Sequence, residues 1–277
     1  MGIITCFIWG GLGQQLFQII TTYAYALDYN YIPIFDITQK KSGNQLDPIN
    51  FYWDNVFKKI SIESFKNKNN IKYKEILNKA FEVIHWNYDY KELPHLTNNI
   101  ILEGDFKSYK YFHHHREFIY NLIKPSEFIK KKVNNYIKKI TKNNKKTVSL
   151  HVKRNHSNKS RKHILPIEYY KEALTYFKKD NNFIIFSDDI FWCKENIGIG
   201  LGLKNIVYIE DKDYIELYLM SKCHHNIITN STFSWWGAYL NNYEKNITIA
   251  PKKWFGKFGM KKNYEEILLD NWIKLNY

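Results

Sequence analysis

Cysteine is scarce in this chain of 277 residues: Cys6, Cys193 and Cys223 are odd in number, widely spaced and each set in an apolar segment. That excludes a disulfide framework and reads as three reduced core residues. Long apolar runs are missing too, since residues 1–27 are broken by Gly10-Gly11-Leu12-Gly13 and by Gln14-Gln15. No stretch joins a charged start to an apolar run and a cleavage site, so the expectation is a cytoplasmic protein without a membrane span. The sequons at Asn155, Asn158 and Asn230 then read as chance matches. Acidic residues are in short supply, 27 against 41 Lys and Arg, for a formal charge of +14. Such an excess favours phosphate-bearing ligands, nucleic acid or the anionic inner face of a membrane, which a basic surface can touch peripherally. Much of it lies in runs such as Lys130-Lys131-Lys132, Lys138-Lys139 and Lys145-Lys146, the pattern of solvated helix faces. No nucleic-acid reading motif is present and the aromatics fall at core periods, so nucleic acid is not an expected partner.

Several catalytic signatures are also absent. Leu16 stands where a dinucleotide fingerprint needs its last glycine, and no Gly-Lys-Ser/Thr completes a Walker loop. There is no G-x-S-x-G elbow and no cysteine with a histidine partner, which leaves covalent catalysis unsupported. The clusters His113-His114-His115 and His224-His225 lack helical i, i+4 or finger spacing to another cluster, so no metal site is expected.

What is there suits a globular α/β protein: 44% hydrophobic and 17% aromatic residues over a length that accommodates two domains. The first half opens with an apolar strand at Ile3–Trp9, a glycine turn, and a helix-periodic stretch from Gln15 to Leu27. Strands are expected at Ile32–Ile37 and Asn99–Glu103, and helix over 109–140. The charged, asparagine-rich stretch 138–146 reads as an exposed connection, dividing the chain into domains 1–140 and 147–277. Beyond it, strands at 147–152, 183–186, 206–209, 225–230 and 247–250 alternate with helices at 166–179, from Asp189, at 213–223 and at 231–241. That alternation predicts a parallel sheet wound on both faces, with ligands at the carboxyl ends of its strands.

Four segments fall at such ends. Asn230-Ser231-Thr232-Phe233-Ser234 follows a buried strand and opens a helix, where free N–H groups and the positive end of the helix dipole attract an anion and hydroxyls add donors. His151-Val152-Lys153-Arg154 puts two basic residues at a strand end. Adjacent strand residues point to opposite faces, so one can hold a phosphate while the other braces the scaffold, and Lys153 is the choice for the phosphate. Ser187-Asp188-Asp189 supplies carboxylates that can cap a helix or accept from a nucleoside. In Gly10-Gly11-Leu12-Gly13-Gln14, missing side chains let a ligand approach the backbone.

Taken in order, GGLGQQLFQ, LEGDFKSYKYF, HVKRN, FSDDIFWCKEN, LYLMSKCHHNIITNSTFSWWGAYLN and IAPKKWF resemble the family 11 glycosyltransferases, the bacterial-type α-1,2-fucosyltransferases, from residue 3 to about 255. The resemblance implies a GT-B-type arrangement of two Rossmann-like domains facing across a cleft, with the nucleotide held by the second and the last helix returning to the first. It implies inverting, metal-independent transfer of L-fucose from GDP-β-L-fucose to a galactose 2-hydroxyl, with no cofactor. The partners would be a nucleotide-sugar donor and a galactose-containing oligosaccharide or lipid-linked glycan. The family pattern H-x-R-R-G-D falls on His151, Val152, Lys153, Arg154, Asn155 and His156, so lysine replaces the first arginine and histidine the aspartate. Gln14 stands where the family has asparagine.

On this reading Lys153, Ser231, Thr232 and Ser234 take the diphosphate, with His151, Arg154 and Asn230 beside them. Asp188 or Asp189 takes the nucleoside, and Gly11, Gly13 and Gln14 close over the sugar. Asp36, Asp105 and His156 are the candidate bases by location. Two alternatives stand beside it: a transferase of the same build with another donor or acceptor, and a binder that kept the fold and lost turnover.

Overall fold

The computed structural model describes residues 2–35, 50–60, 81–85, 90–154, 164–255 and 265–277. The chain forms two compact units, residues 1–126 and 127–277.

In the first unit, strand β1 (Ile3–Cys6) runs through a glycine turn into helix α1 (Leu12–Tyr29), followed by β2 (Ile32–Pro33), the short helix α2 (Asn50–Trp53), β3 (Phe81–His85), β4 (Asn99–Glu103) and helix α3 (Arg116–Leu122). The sheet is parallel with order β2-β1-β4-β3. β1 is shorter than the sequence suggests. Its ladder ends at Cys6↔Leu102, and the Trp9 N–H then donates to Gln18 Oε1 instead of to a strand. Gly10 takes the turn at φ +79°, backbone that other residues rarely adopt. α1 is buried from Leu12 to Ala26, glutamines included. It stops at Asn30 in the left-handed conformation, where the Tyr31 N–H bonds back to the Ala26 carbonyl. The helix expected over 109–140 is instead two 3-10 turns, Tyr109–Tyr111 and His113–His115, and two helices. Pro125 separates those helices, because its ring denies the preceding residue helical backbone.

The second unit opens with α4 (Glu127–Ile140). Then come β5 (Thr147–Val152), α5 (Ile167–Leu174), β6 (Asn182–Ser187), α6 (Ile190–Cys193) continued by a π turn at Lys194–Ile199, β7 (Asn205–Ile209), α7 (Asp213–Ser221), β8 (His225–Ile227), α8 (Thr232–Tyr239), β9 (Thr248–Pro251) and β10 (Ile273–Leu275). Its parallel sheet has the order β10-β9-β8-β5-β6-β7. β5 is buried at all six residues, as a central strand covered on both faces must be. Val148, Leu150, Phe183, Ile185 and Ile227 form the core with Tyr169 of α5. α8 lies close on α7, since a Cβ at Gly237 would stand 2.8 Å from Met220 Cβ.

Two further elements depart from the sequence expectation. α4, assigned from sequence to residues 1–140, groups with the second unit. Lys132 Nζ pairs with Asp211 Oδ1 at 2.8 Å, and the Tyr136 hydroxyl donates to Asp211 Oδ2 at 2.9 Å. The expected last helix is not found among the described residues. After a 3-10 turn at Glu265–Ile267 the chain adds β10 to the edge of the second sheet, beside β9.

The start of α7 yields a pH-dependent prediction. Glu216 Oε1 accepts the Asp211 N–H at 3.0 Å, and burial pushes its carboxyl from 4.5 up to about 7. The Asp211 N–H lowers it, whereas the carboxylates of Asp213, Asp211 and Glu210 raise it further. A carboxyl whose folded pKa exceeds the unfolded one favours the fold below about pH 4.5 and loses that contribution as pH rises to about 7. Glu216→Gln keeps the acceptor and removes the charge. It should therefore match the native chain near pH 4 and exceed it at pH 8, by on the order of 2 kcal/mol once solvent screening is allowed for. Melting curves across that range check the crossover, and parallel curves would remove Glu216 from the pH response.

Candidate functional site

The strand order of the second sheet reverses between β8 and β5. β5 is followed in sequence by its neighbour β6, while β8 lies on its other side. In an open parallel sheet such a reversal leaves a crevice at the carboxyl edge. Three of the four segments singled out from the sequence end there.

On one flank, Ser231 caps α8. Its hydroxyl accepts the Phe233 N–H at 3.3 Å, and Ser234 Oγ bonds the Ser231 carbonyl while accepting the Thr229 N–H, both at 3.4 Å. Ser231, Ser234 and Asn230 are buried and Thr232 is half-buried, so the hydroxyls lie in the first turn of the helix as anticipated. Burial of Asn230 at 1% exposure also sets its sequon out of reach in the folded chain.

On the other flank, Lys153 Nζ lies 2.6 Å from Asp188 Oδ2, and Asp188 Oδ1 accepts the Arg154 N–H at 2.8 Å. One carboxylate thus fastens the loop after β6 to the loop after β5. The Arg154 guanidinium stacks on the Trp192 ring, 4.0 Å from its centroid, and its Nε is buried without a hydrogen-bond partner. Stacking orients a planar cation. Asp189 caps α6, accepting the Trp192 N–H at 3.0 Å, and the Asp189 N–H in turn donates to Ser187 Oγ at 2.9 Å. His151 spans the reversal: its Nδ1 is 3.0 Å from Thr229 Oγ1, and its ring meets Phe233 edge-on at 5.6 Å.

The first unit has its own carboxyl edge. Gln14 Nε2 donates to the Asp105 carbonyl at 3.1 Å, Gln15 Nε2 to the Gly10 carbonyl at 2.9 Å and Gln18 Nε2 to the Gly104 carbonyl at 3.3 Å. The Gln14 and Gln18 bonds tie the start of α1 to the loop after β4, and the Gln15 bond closes the turn after β1 on itself. A Cβ added at Gly11 would meet nothing within 4 Å, which leaves the backbone approachable there. Gly13 is buried in the first turn of α1. The Asp105 carboxylate pairs with Lys107 Nζ at 2.6 Å.

Residues 44–276 match the family model of glycosyl transferase family 11. The chain belongs to that family. An O-antigen biosynthesis glycosyltransferase, WbnK, of Escherichia coli is 30% identical to it over 96% of this chain and 98% of the relative. An α-1,2-colitosyltransferase of Escherichia coli is also 30% identical, over 92% and 93%. Among solved structures, the fucosyltransferase NodZ from Bradyrhizobium superposes with a TM-score of 0.51 at 12% identity, covering 85% of this chain and 92% of that one. The protein is therefore a glycosyltransferase, with the α/β fold of two Rossmann-like units that the GT-B type comprises.

Of the candidate residues of this family 11 transferase, Asp36 and His156 lie outside the described residues, as does Asn155. The partners of the others were not legible in advance. Asp188 bonds across 34 residues and Gln14 across 91, distances at which no spacing rule links them. The cysteines are free and buried, and burial pushes Cys6 and Cys223 up to about 12 and Cys193 to about 11, leaving no thiolate nucleophile. No described helix is long and apolar enough to cross a membrane.

Proposed function

We propose that the transferase moves L-fucose from GDP-β-L-fucose to the 2-hydroxyl of a galactoside, with inversion and without a divalent metal. The observation that carries this reading is the placement of the Lys153 ammonium at the end of β5 and of the hydroxyl-lined first turn of α8 after the adjacent strand β8, on the two sides of the reversal of the second sheet. In such a transfer the difficult part is to stabilise the departing diphosphate while positive charge develops on the sugar carbon. A fixed cation and oriented N–H dipoles do that without reorganising. Lys153 gives one N–H to Asp188 and keeps two for phosphate oxygens. Asp189, held at the start of α6, is the acceptor proposed for the nucleoside.

The glycine turn Gly11, Gly13 and Gln14 is assigned to the donor sugar, and Asp105, Asp36 and His156 are the candidate bases for the acceptor hydroxyl. An oxocarbenium-like path asks little of a base. A glycan carried on a lipid at a membrane surface is the proposed setting. The formal charge of +14 and the likeness to an O-antigen biosynthesis enzyme support it. The likeness to an α-1,2-colitosyltransferase favours a second reading, in which the same site takes a colitosyl donor.

Pure protein incubated with a panel of nucleotide sugars and galactosides, with and without excess chelator, tests both readings by mass spectrometry of the products. Transfer from GDP-fucose, unchanged by chelator, is expected. Preference for another donor selects the second reading. Binding without transfer would end the enzymatic one, and a tenfold loss with chelator, restored by manganese or magnesium, would end the metal-free mechanism.

A further inference from the structure

We infer a divalent-metal site at the far end of α1, formed by Asp28, His114 and His115. These side chains are 86 and 87 residues apart in sequence yet converge on one point. Asp28 Oδ1 lies 2.7 Å from His115 Nε2 and 3.0 Å from His114 Nε2, with Oδ2 3.1 Å from His114 Nε2. One ligand atom from each residue falls within 4.8 Å of the other two. A tetrahedral ion with bonds of about 2.0–2.1 Å needs its ligand atoms about 3.3 Å apart, so the Asp28–His114 and Asp28–His115 edges, at 3.0 and 2.7 Å, lie within about half an ångström of a coordination face.

The scaffold behind it is already fixed. His114 and His115 sit in a 3-10 turn closed by the His115 N–H to the Phe112 carbonyl at 3.0 Å. Phe112 is fully buried and packs on Phe17 of α1 at 5.9 Å, and Phe118 packs on Tyr23 at 6.1 Å. Ligands held on packed elements lose little freedom when a metal arrives.

Two imidazoles and one carboxylate suit zinc, cobalt(II) or nickel. Magnesium and calcium want more oxygens than the site offers. The residues are exposed or half-exposed, which leaves room for water at the remaining positions. Asp28 is separated from the glycine turn by most of α1, about 24 Å along the helix axis. The ion would thus clip the end of α1 to the turn that enters α3, and its effect would be on the stability of the first unit. The inference stands independently of the donor assignment.

The test uses the untagged full-length chain, stripped with chelator and titrated with zinc chloride by calorimetry at pH 7.5 in a non-coordinating buffer. One zinc per chain is expected, with a raised melting midpoint. Asp28→Asn, His114→Gln and His115→Gln, each shown by its metal-free melting curve to be folded, should each weaken zinc by about tenfold or more. Cobalt(II) should give a ligand-field spectrum in the native chain that the variants lose, while GDP affinity stays unchanged by zinc. Equal zinc uptake by native chain and variants would mean an adventitious ion only. No uptake, with a midpoint that follows only the protonation of the histidine pair, would replace the metal site with an ion pair. Either result overturns the inference.

Discussion

Replacing Lys153 with alanine should lower turnover about a hundredfold, a loss on the order of 3 kcal/mol of transition-state stabilisation. The ammonium is held 2.6 Å from Asp188 and its side chain is one-third exposed, so it is aimed without being sealed off. Charge arriving on a diphosphate would find it in place. Lys139, on the exposed side of α4, is the control: its replacement by alanine should change turnover less than twofold, as is usual for a solvated charge. Lys153→Arg keeps the charge and should retain much of the activity, with the loss confined to phosphate geometry.

Asp188 makes the result more informative, because it answers both Lys153 and the Arg154 N–H. Asp188→Asn alone should slow turnover by freeing the two loops. Combined with Lys153→Ala it should cost less than the sum, since the alanine variant has already removed the cation that Asp188 holds in place. Ser231→Ala should mainly weaken GDP, read by calorimetry. Small, equal effects of Lys153→Ala and Lys139→Ala on kcat would remove Lys153 from the site, and additivity with Asp188→Asn would remove the pair.

The second unit was readable because its central strands are buried on both faces and so carry apolar residues between charged helices, most plainly the run Phe183–Phe186 of β6. The edges were not. β10 is three residues long with Lys274 at its centre, and β3 is exposed or half-exposed at all but Ile84, so neither shows an apolar run. The site divides in the same way. Hydroxyls, glycines and charges at strand ends announce themselves through local chemistry. The contacts that aim them, Asp188 to Lys153, Arg154 to Trp192 and Gln14 to Asp105, arise only once the sheets bring separate strand ends together. The triangle of Asp28, His114 and His115 is the extreme case, because helix and finger spacing rules see ligands only when they are close in sequence.

Trp235→Ala should destabilise the second unit by about 4 kcal/mol, a large part of the 5–15 kcal/mol that holds a typical domain folded. The indole is fully buried, stacks on Tyr239 at 4.9 Å and 14°, meets Trp236 at 5.2 Å and Trp272 at 5.6 Å, and donates from Nε1 to the Ile267 carbonyl at 2.6 Å. Alanine would leave a cavity too well walled to collapse and a buried carbonyl short of its donor. The consequence reaches function because Trp235 sits in α8, whose first turn carries Ser231, Thr232 and Ser234. Trp235→Phe separates the two contributions. It keeps an aromatic ring in the stack while losing the Nε1 bond and part of the indole's volume, so it should cost about 2–3 kcal/mol. Well below its melting midpoint it should bind GDP as the native chain does. Denaturant midpoints for the three proteins, with GDP titrations at low temperature, decide the matter. A Phe variant as unstable as the Ala variant would show that the ring shared by Trp and Phe carries none of the stability. A folded Phe variant with weakened GDP would show that the indole positions the first turn of α8 directly.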